Sequence, residues 1–254
     1  MRFEEIKEFL DEKAAYYEQP EFIETDPVQI PRLFSEKRDQ EIAGFLTATI
    51  SWGNRKSILK NANAMMNLLE LAPYQFVMNH TEKDLEKFTG FVHRTFNATD
   101  LKFFITSLQR IYLRYGDIES FFAQYADQPN LHQAIHDFKK EFFALPHQPR
   151  TQKHVSDPLK NSASKRIYMF LRWMVRSADN GVDLGIWKQI PTSILSCPLD
   201  IHSGNTARKL KILSRKQNDI KAVNELDISL RKMDMMDPVK YDFSLFGLGI
   251  FEKF

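Results

Sequence analysis

The chain has 254 residues, 43% of them hydrophobic, which is enough to bury the core of one large domain or two small ones. Its 9 glycines argue against many tight hairpins, and its single cysteine, Cys197, excludes an internal disulfide framework and a four-cysteine metal site. Neither a signal-peptide pattern nor an apolar run near the ~20 residues of a membrane span is present. We therefore expect a soluble cytoplasmic protein that uses no metal or cofactor.

The net charge of +2 is unevenly distributed along the chain. Residues 160–216, here called the basic block, contain 11 Lys/Arg and 3 acidic residues and so carry +8. Residues 1–159 carry −4 and residues 217–254 carry −2. This asymmetry predicts a polyanionic partner for the basic block.

Helical periodicity dominates the first half of the sequence. It predicts helices over residues 4–18, 39–52, 55–71, 101–115 and 131–145. Asp39 is expected to cap the second of these, and Thr81 is expected to open a short helix with a capping box.

A polar, proline-bearing stretch over residues 146–161 predicts an exposed loop that divides the chain. We expect an N-terminal helical lobe over 1–145 and a second lobe over 162–254. Helices are predicted in the second lobe over 162–178, 200–213 and 219–231, and a last one is expected to be capped by Asp237, with Pro238 at its first position. No strand is predicted, so the expected fold class is all-α, in a two-lobed helical bundle.

Asp200 stands out as a carboxylate within the basic block. It follows Pro198-Leu199 and precedes a helical pattern, which predicts that it caps the helix by accepting a backbone amide. Capping amides and the helix dipole keep such a carboxylate ionised and fixed in direction. Asp200 is therefore a candidate catalytic carboxylate as well as a cap.

Lys165 lies in the first turn of the helix predicted over 162–178. On a helical wheel it shares the polar face with Arg172 and Arg176. Neighbouring cations favour a neutral amine, which is the form that attacks a carbonyl-type carbon in Schiff-base chemistry. The alternative interpretation is an ordinary solvated lysine on a helix surface.

The corner Trp52-Gly53-Asn54-Arg55 joins two predicted helices. It combines an aromatic ring, a flexible point, an amide and a cation, a combination that can grip a nucleic acid strand. The alternative is a helix–helix corner in which Trp52 packs inward.

Motifs along most of the chain are similar to those of an uncharacterised bacterial family, domain of unknown function 2400. The similarity includes Ser51–Arg55, the segment from Lys165 to Arg176, Pro198–His202 and Asp237–Phe243. This resemblance implies no established activity.

The segment Pro198-Leu199-Asp200-Ile201-His202 also resembles the P-[VL]-D-x-H segment of helix-hairpin-helix DNA glycosylases. This remoter resemblance implies DNA as partner and cleavage of the N-glycosidic bond of a flipped base. It assigns the carboxylate to Asp200 and the Schiff-base nucleophile to Lys165, with Lys160 and Lys188 as alternatives. The residues expected to contact nucleic acid are Arg172, Arg176, Arg208, His202, Asn54 and Arg55.

The sequence departs from the glycosylase pattern at the hairpin, since residues 180–185 do not read L-P-G-x-G. The backbone amides of that hairpin hold a DNA phosphate in the superfamily, so the resemblance does not locate this anchor here. Two other interpretations stay open. One is a non-catalytic nucleic-acid-binding module, and the other is a helical protein whose basic block contacts an acidic protein or a nucleotide.

Overall fold

The computed structural model describes residues 2–254, and most of them are helical. The first seven helices are α1 Phe3–Tyr17, α2 Lys37–Ile50, α3 Arg55–Leu68, α4 Pro73–Asn79, α5 Glu82–Glu86, α6 Ala98–Tyr115 and α7 Ile118–Ala123. The remaining five are α8 His132–Phe142, α9 Lys165–Val175, α10 Ile201–Lys209, α11 Ile220–Met233 and α12 Tyr241–Phe251. The predicted all-α class is confirmed.

One small hairpin interrupts the helices. Its strands are β1 Val92–His93 and β2 Phe96–Asn97, which pair antiparallel with His93 opposite Phe96. Two-residue strands are too short to show a period of two, so the sequence pattern did not reveal them.

The described residues form two compact units. The terminal unit comprises Met1–Phe22, Tyr125–His136 and Asp157–Phe254, and the central unit comprises Ile23–Gln124 and Asp137–Ser156. The first helix thus belongs with the last hundred residues, a division that differs from the predicted lobes over 1–145 and 162–254.

Helices α1 and α12 explain this grouping, because they pack together in the terminal unit. A Cβ atom at Gly247 would lie 2.3 Å from Cδ2 of Tyr17, so the two helices approach at a glycine. The Tyr17 hydroxyl donates a hydrogen bond of 2.5 Å to Glu252, and the Tyr241 hydroxyl donates one of 2.9 Å to Asp11. Such contacts between the two ends of a sequence leave no trace in local periodicity.

Helix α9 is the buried centre of the terminal unit. Every residue from Ile167 to Val175 is buried, including Trp173. The face of α9 that was predicted to be polar is therefore inside the unit. Arg172 and Arg176 on that face are buried, so their charges need carboxylate partners there.

The segment over residues 146–161 differs from the predicted exposed loop. It contains the 3₁₀ helices Pro149–His154 and Pro158–Lys160. Thr151 is buried because its hydroxyl donates a 2.7 Å hydrogen bond to the buried carboxylate of Asp100, to which Arg150 also donates at 2.9 Å. A buried carboxylate needs such partners, and this segment supplies them.

Two of the four predicted caps are confirmed. Thr81 opens α5 with a capping box, and Asp200 caps α10. Asp39 instead lies in the first turn of α2, which begins two residues earlier, and its carboxylate accepts the amide of Tyr74 at 2.7 Å. Asp237 makes no capping bond and accepts a hydrogen bond from Arg176 of the terminal unit.

No helix within residues 2–254 is long and apolar enough to cross a membrane.

Candidate active site

Lys165 and Asp200 meet in the terminal unit. Lys165 is the first residue of α9, and its Nζ lies 3.1 Å from Oδ2 of Asp200. The lysine side chain is 33% exposed and the aspartate side chain 17% exposed, so solvent reaches both. Lys160 and Lys188, the alternative nucleophiles, are exposed, and Lys165 forms an ion pair with Asp200.

The Asp200 carboxylate is fixed by the helix that it caps. Its Oδ1 accepts the amides of His202 at 2.8 Å and Ser203 at 2.9 Å, which leaves Oδ2 directed at Lys165. Burial alone would raise the pKa of Asp200, but the Lys165 ammonium and the two amides together hold it below its usual value. Asp200 is therefore ionised at neutral pH and has a fixed direction.

The charge around Lys165 differs from the sequence-based expectation. The sequence suggested a cationic surrounding, whereas the nearest charged partner in the structure is the Asp200 carboxylate. A proton on Nζ thus has an acceptor within hydrogen-bond distance.

The extended segment that leads to Asp200 is held by helix α11. Arg231 donates a 2.7 Å hydrogen bond to the carbonyl of Leu195, and the amide of Cys197 donates one of 3.0 Å to Asp227. Asp227 is buried, and this burial raises its pKa to about 6 against the opposing effect of Arg231. The segment that presents Asp200 is therefore anchored at both its backbone carbonyls and its amides.

Asp242 is a second carboxyl group near this pair, and the sequence reasoning missed it. It lies on α12, accepts a hydrogen bond from Arg172, and has its Oδ1 3.9 Å from the Cys197 thiol. Burial raises the pKa of Asp242 to about 6; Arg172 opposes the increase and the charge of Asp200 adds to it. The available signal was an acid at the start of the apolar helix Tyr241–Phe251.

Arg172 and Arg176, predicted to contact phosphates, are only 4% and 5% exposed. Arg172 Nε donates to Asp183 at 3.2 Å. Arg176 donates from Nη2 to Glu18 at 2.9 Å and from Nε to Asp237 at 2.8 Å. In this structure these arginines neutralise buried carboxylates and do not face solvent, so part of the +8 of the basic block is compensated internally.

Arg208 and His202 both lie on α10, the helix that Asp200 caps, and both are partly exposed. Arg208 donates from Nε to the carbonyl of Arg215 at 2.8 Å and from Nη2 to Oδ1 of Asn218 at 2.6 Å. Its guanidinium therefore shapes the loop after α10.

Asn54 and Arg55 belong to the central unit. Asn54 caps α3 by accepting the amide of Ser57 at 3.2 Å, and Arg55 donates to the hydroxyl of Thr25 at 3.1 Å. Trp52 packs edge-on against His93, with ring centroids 5.1 Å apart. These contacts favour the alternative of an inward-packed corner.

No curated protein and no solved structure matches the chain. A family model described as protein of unknown function (DUF2400) matches residues 26–251. Since this match covers nearly all of the 254 residues, the chain belongs to that family, as its motifs predicted.

Proposed function

We propose that the protein binds DNA and removes a damaged base by cleaving its N-glycosidic bond at Lys165 and Asp200. The observation that supports this proposal is the distance of 3.1 Å between Lys165 Nζ and Asp200 Oδ2 at a place that solvent reaches. The motif resemblance selected this lysine and this aspartate from sequence alone, and no local rule of helix formation requires them to meet.

The chemistry assigns a separate role to each residue. Nζ of Lys165 transfers a proton to Asp200 and attacks the sugar carbon C1′ while the N-glycosidic bond breaks. The bonding electron pair leaves with the base, which takes up a proton. The bound nitrogen then gives up a proton, O4′ takes one up and leaves C1′, and a protonated Schiff base joins Nζ to C1′.

Asp200 is suited to this reaction for a second reason. Once the departing base has taken the proton from Asp200, the carboxylate is ionised again, and its fixed direction stabilises the positive charge on the bonded nitrogen and sugar without reorganisation. The two capping amides supply the fixed direction, since they hold Oδ1 and leave Oδ2 to face Lys165.

A non-catalytic nucleic-acid-binding module is the second candidate. It is favoured by the fact that capping and the ion pair occupy both oxygens of Asp200, so both contacts also have a purely structural explanation. Such a module would bind DNA with a salt-dependent affinity and would release no base.

Borohydride trapping on a panel of lesion-bearing duplexes tests the catalytic proposal. We expect a covalent protein–DNA adduct with the wild-type protein, none with Lys165→Gln, and an undiminished adduct with Lys160→Gln, which removes an exposed lysine nearby in sequence. Loss of the adduct in Lys160→Gln alone would reassign the nucleophile.

Circular dichroism and thermal unfolding of each variant separate lost chemistry from lost folding. If wild-type protein binds DNA but gives neither an adduct nor free base with any lesion, the glycosylase proposal is wrong and the binding module replaces it. Under that outcome, Asp200→Asn would leave DNA affinity unchanged.

A further inference from the structure

The end of α10, the loop that follows it and the start of α11 carry a dense positive charge. The stretch from Arg208 to Lys221, here called the basic loop, contains six Lys/Arg and one acid, Asp219. Five of these cations belong to the basic block, and they reach solvent where Arg172 and Arg176 of the same block are buried.

The two arginines of the basic loop are used to shape it. Arg208 donates to the carbonyl of Arg215, and Arg215 Nε donates to Asp219 at 2.6 Å. Glu225 on α11 accepts the amide of Ser214 at 2.5 Å. The acids that approach the loop are thus engaged in holding its backbone and its arginines.

The lysines of the loop supply its outward charge. These lysines are Lys209, Lys211, Lys216 and Lys221. All four are exposed, and none forms an ion pair within residues 2–254. Unpaired lysines concentrated in one loop favour binding of a chain of phosphates, because each ammonium acts as a separate point charge.

The basic loop is attached directly to the candidate active site. Nδ2 of Asn218 donates a 2.8 Å hydrogen bond to the main-chain carbonyl of Asp200, and Oδ1 of Asn218 accepts from Arg208. A Cβ atom at Gly204 would lie 2.8 Å from both Arg208 and Asn218, so the loop rests closely on α10. A strand held by the loop would therefore pass near Asp200.

We propose that the basic loop is the surface that contacts the nucleic-acid backbone and guides a strand to Lys165 and Asp200. The inference rests on the proposed function, since it names the binding surface of the same site. An acidic protein would also be attracted by four lysines. The attachment of the loop to Asp200 favours nucleic acid, because a strand bound there would present its sugars to that residue.

The test compares two triple variants in fluorescence anisotropy with a labelled DNA duplex over a range of salt concentrations. One is Lys209→Gln, Lys211→Gln and Lys216→Gln. The other, Lys83→Gln, Lys140→Gln and Lys232→Gln, makes the same charge change at exposed lysines elsewhere. The slope of log K against log salt is negative, and we expect the loop variant to reduce its magnitude by about 2–3, or roughly 0.9 per lost phosphate contact. The control should leave the slope unchanged.

The outcomes distinguish the surface from the chemistry. If the loop variant binds with the wild-type slope, the basic loop is not the contact surface, while the proposed function stands. If the salt dependence of DNA affinity is weaker in the loop variant but no wild-type adduct is trapped, the surface is supported and the glycosylase chemistry is wrong. Polyglutamate that competes with DNA at equal charge concentration would overturn the nucleic-acid assignment in favour of an acidic protein.

Discussion

A lysine–carboxylate pair in each of the two units shows how the surroundings move the pKa of a carboxyl group in opposite directions. In the terminal unit Asp200 lies 3.1 Å from Lys165, accepts two backbone amides, and has a pKa below its usual value. In the central unit Glu41 is fully buried, and its Oε1 is 3.8 Å from Lys37. Burial raises the pKa of Glu41 to about 7 despite a hydrogen bond from Tyr112.

The difference shows what decides whether a carboxylate is available for chemistry. Lys37 is shared with Asp117, at 2.9 Å, and with Glu119, so it compensates Glu41 only in part. Asp200 has its lysine at hydrogen-bond distance, amides at its other oxygen and a path to solvent. Glu41 also accepts a backbone amide, from Ile118 at 3.3 Å, so the shorter distance to the lysine and the access to water make the difference.

The largest expected effect on the free energy of unfolding comes from removing the cation partner of buried carboxylates in the terminal unit. Arg172→Met leaves Asp183 and Asp242 buried without their shared cation, and we expect a loss of about 3–5 kcal/mol in the free energy of unfolding. Arg114→Met removes an exposed ion pair with Glu141 and should cost at most about 1 kcal/mol. Urea unfolding measures both, and equal losses would contradict the role of burial.

The next effect concerns Glu41 and pH. Its pKa of about 7 in the folded protein exceeds the unfolded value of 4.5, so the folded state binds more protons between these values. The stability that Glu41 contributes is therefore complete below pH 4.5 and is lost as pH rises to about 7. Glu41→Gln keeps an acceptor for Tyr112 but cannot titrate.

Urea unfolding at pH 4.5 and pH 8 compares the wild-type protein with Glu41→Gln. The stability difference in favour of wild type should fall by about 3 kcal/mol between the two pH values. A difference that does not change with pH would mean that Glu41 has the same pKa in the folded and unfolded states.

The smallest effect separates the two contacts of Asp200. Asp200→Asn retains a good cap and loses the ion pair, so we expect a cost of at most about 1 kcal/mol. Asp200→Ala loses both contacts and should cost about 1–2 kcal/mol. Thermal unfolding of the two variants gives the contribution of the cap by difference, and an identical cost would show that the cap adds nothing.

The features that the sequence predicted best are local ones. The cap at Asp200 depends on residues two and three positions ahead, and the capping box at Thr81 has the same range. The positions of most helices follow from periodicity in the same way. The choice of Lys165 as the partner of Asp200 came from a motif resemblance, because no local pattern joins those two residues.

The features that the sequence could not supply depend on distant partners. A helical wheel places charged residues in water by default, and on that basis Arg172 and Arg176 were expected to reach phosphates. Their partners include Glu18 and Asp237, which no pattern within α9 can indicate. Asp242 was missed for the same reason, since its importance comes from packing against Arg172 and Cys197.

The pairing of α1 with α12 has a consequence for biosynthesis. During translation α1 emerges before α12, yet Tyr17 of α1 packs on Gly247 of α12. The central unit has all of its residues available before that point. Lys165 and Asp200 are thus translated before α12 supplies Asp242, so a chain interrupted before residue 241 would carry both residues without the helix that packs on α10.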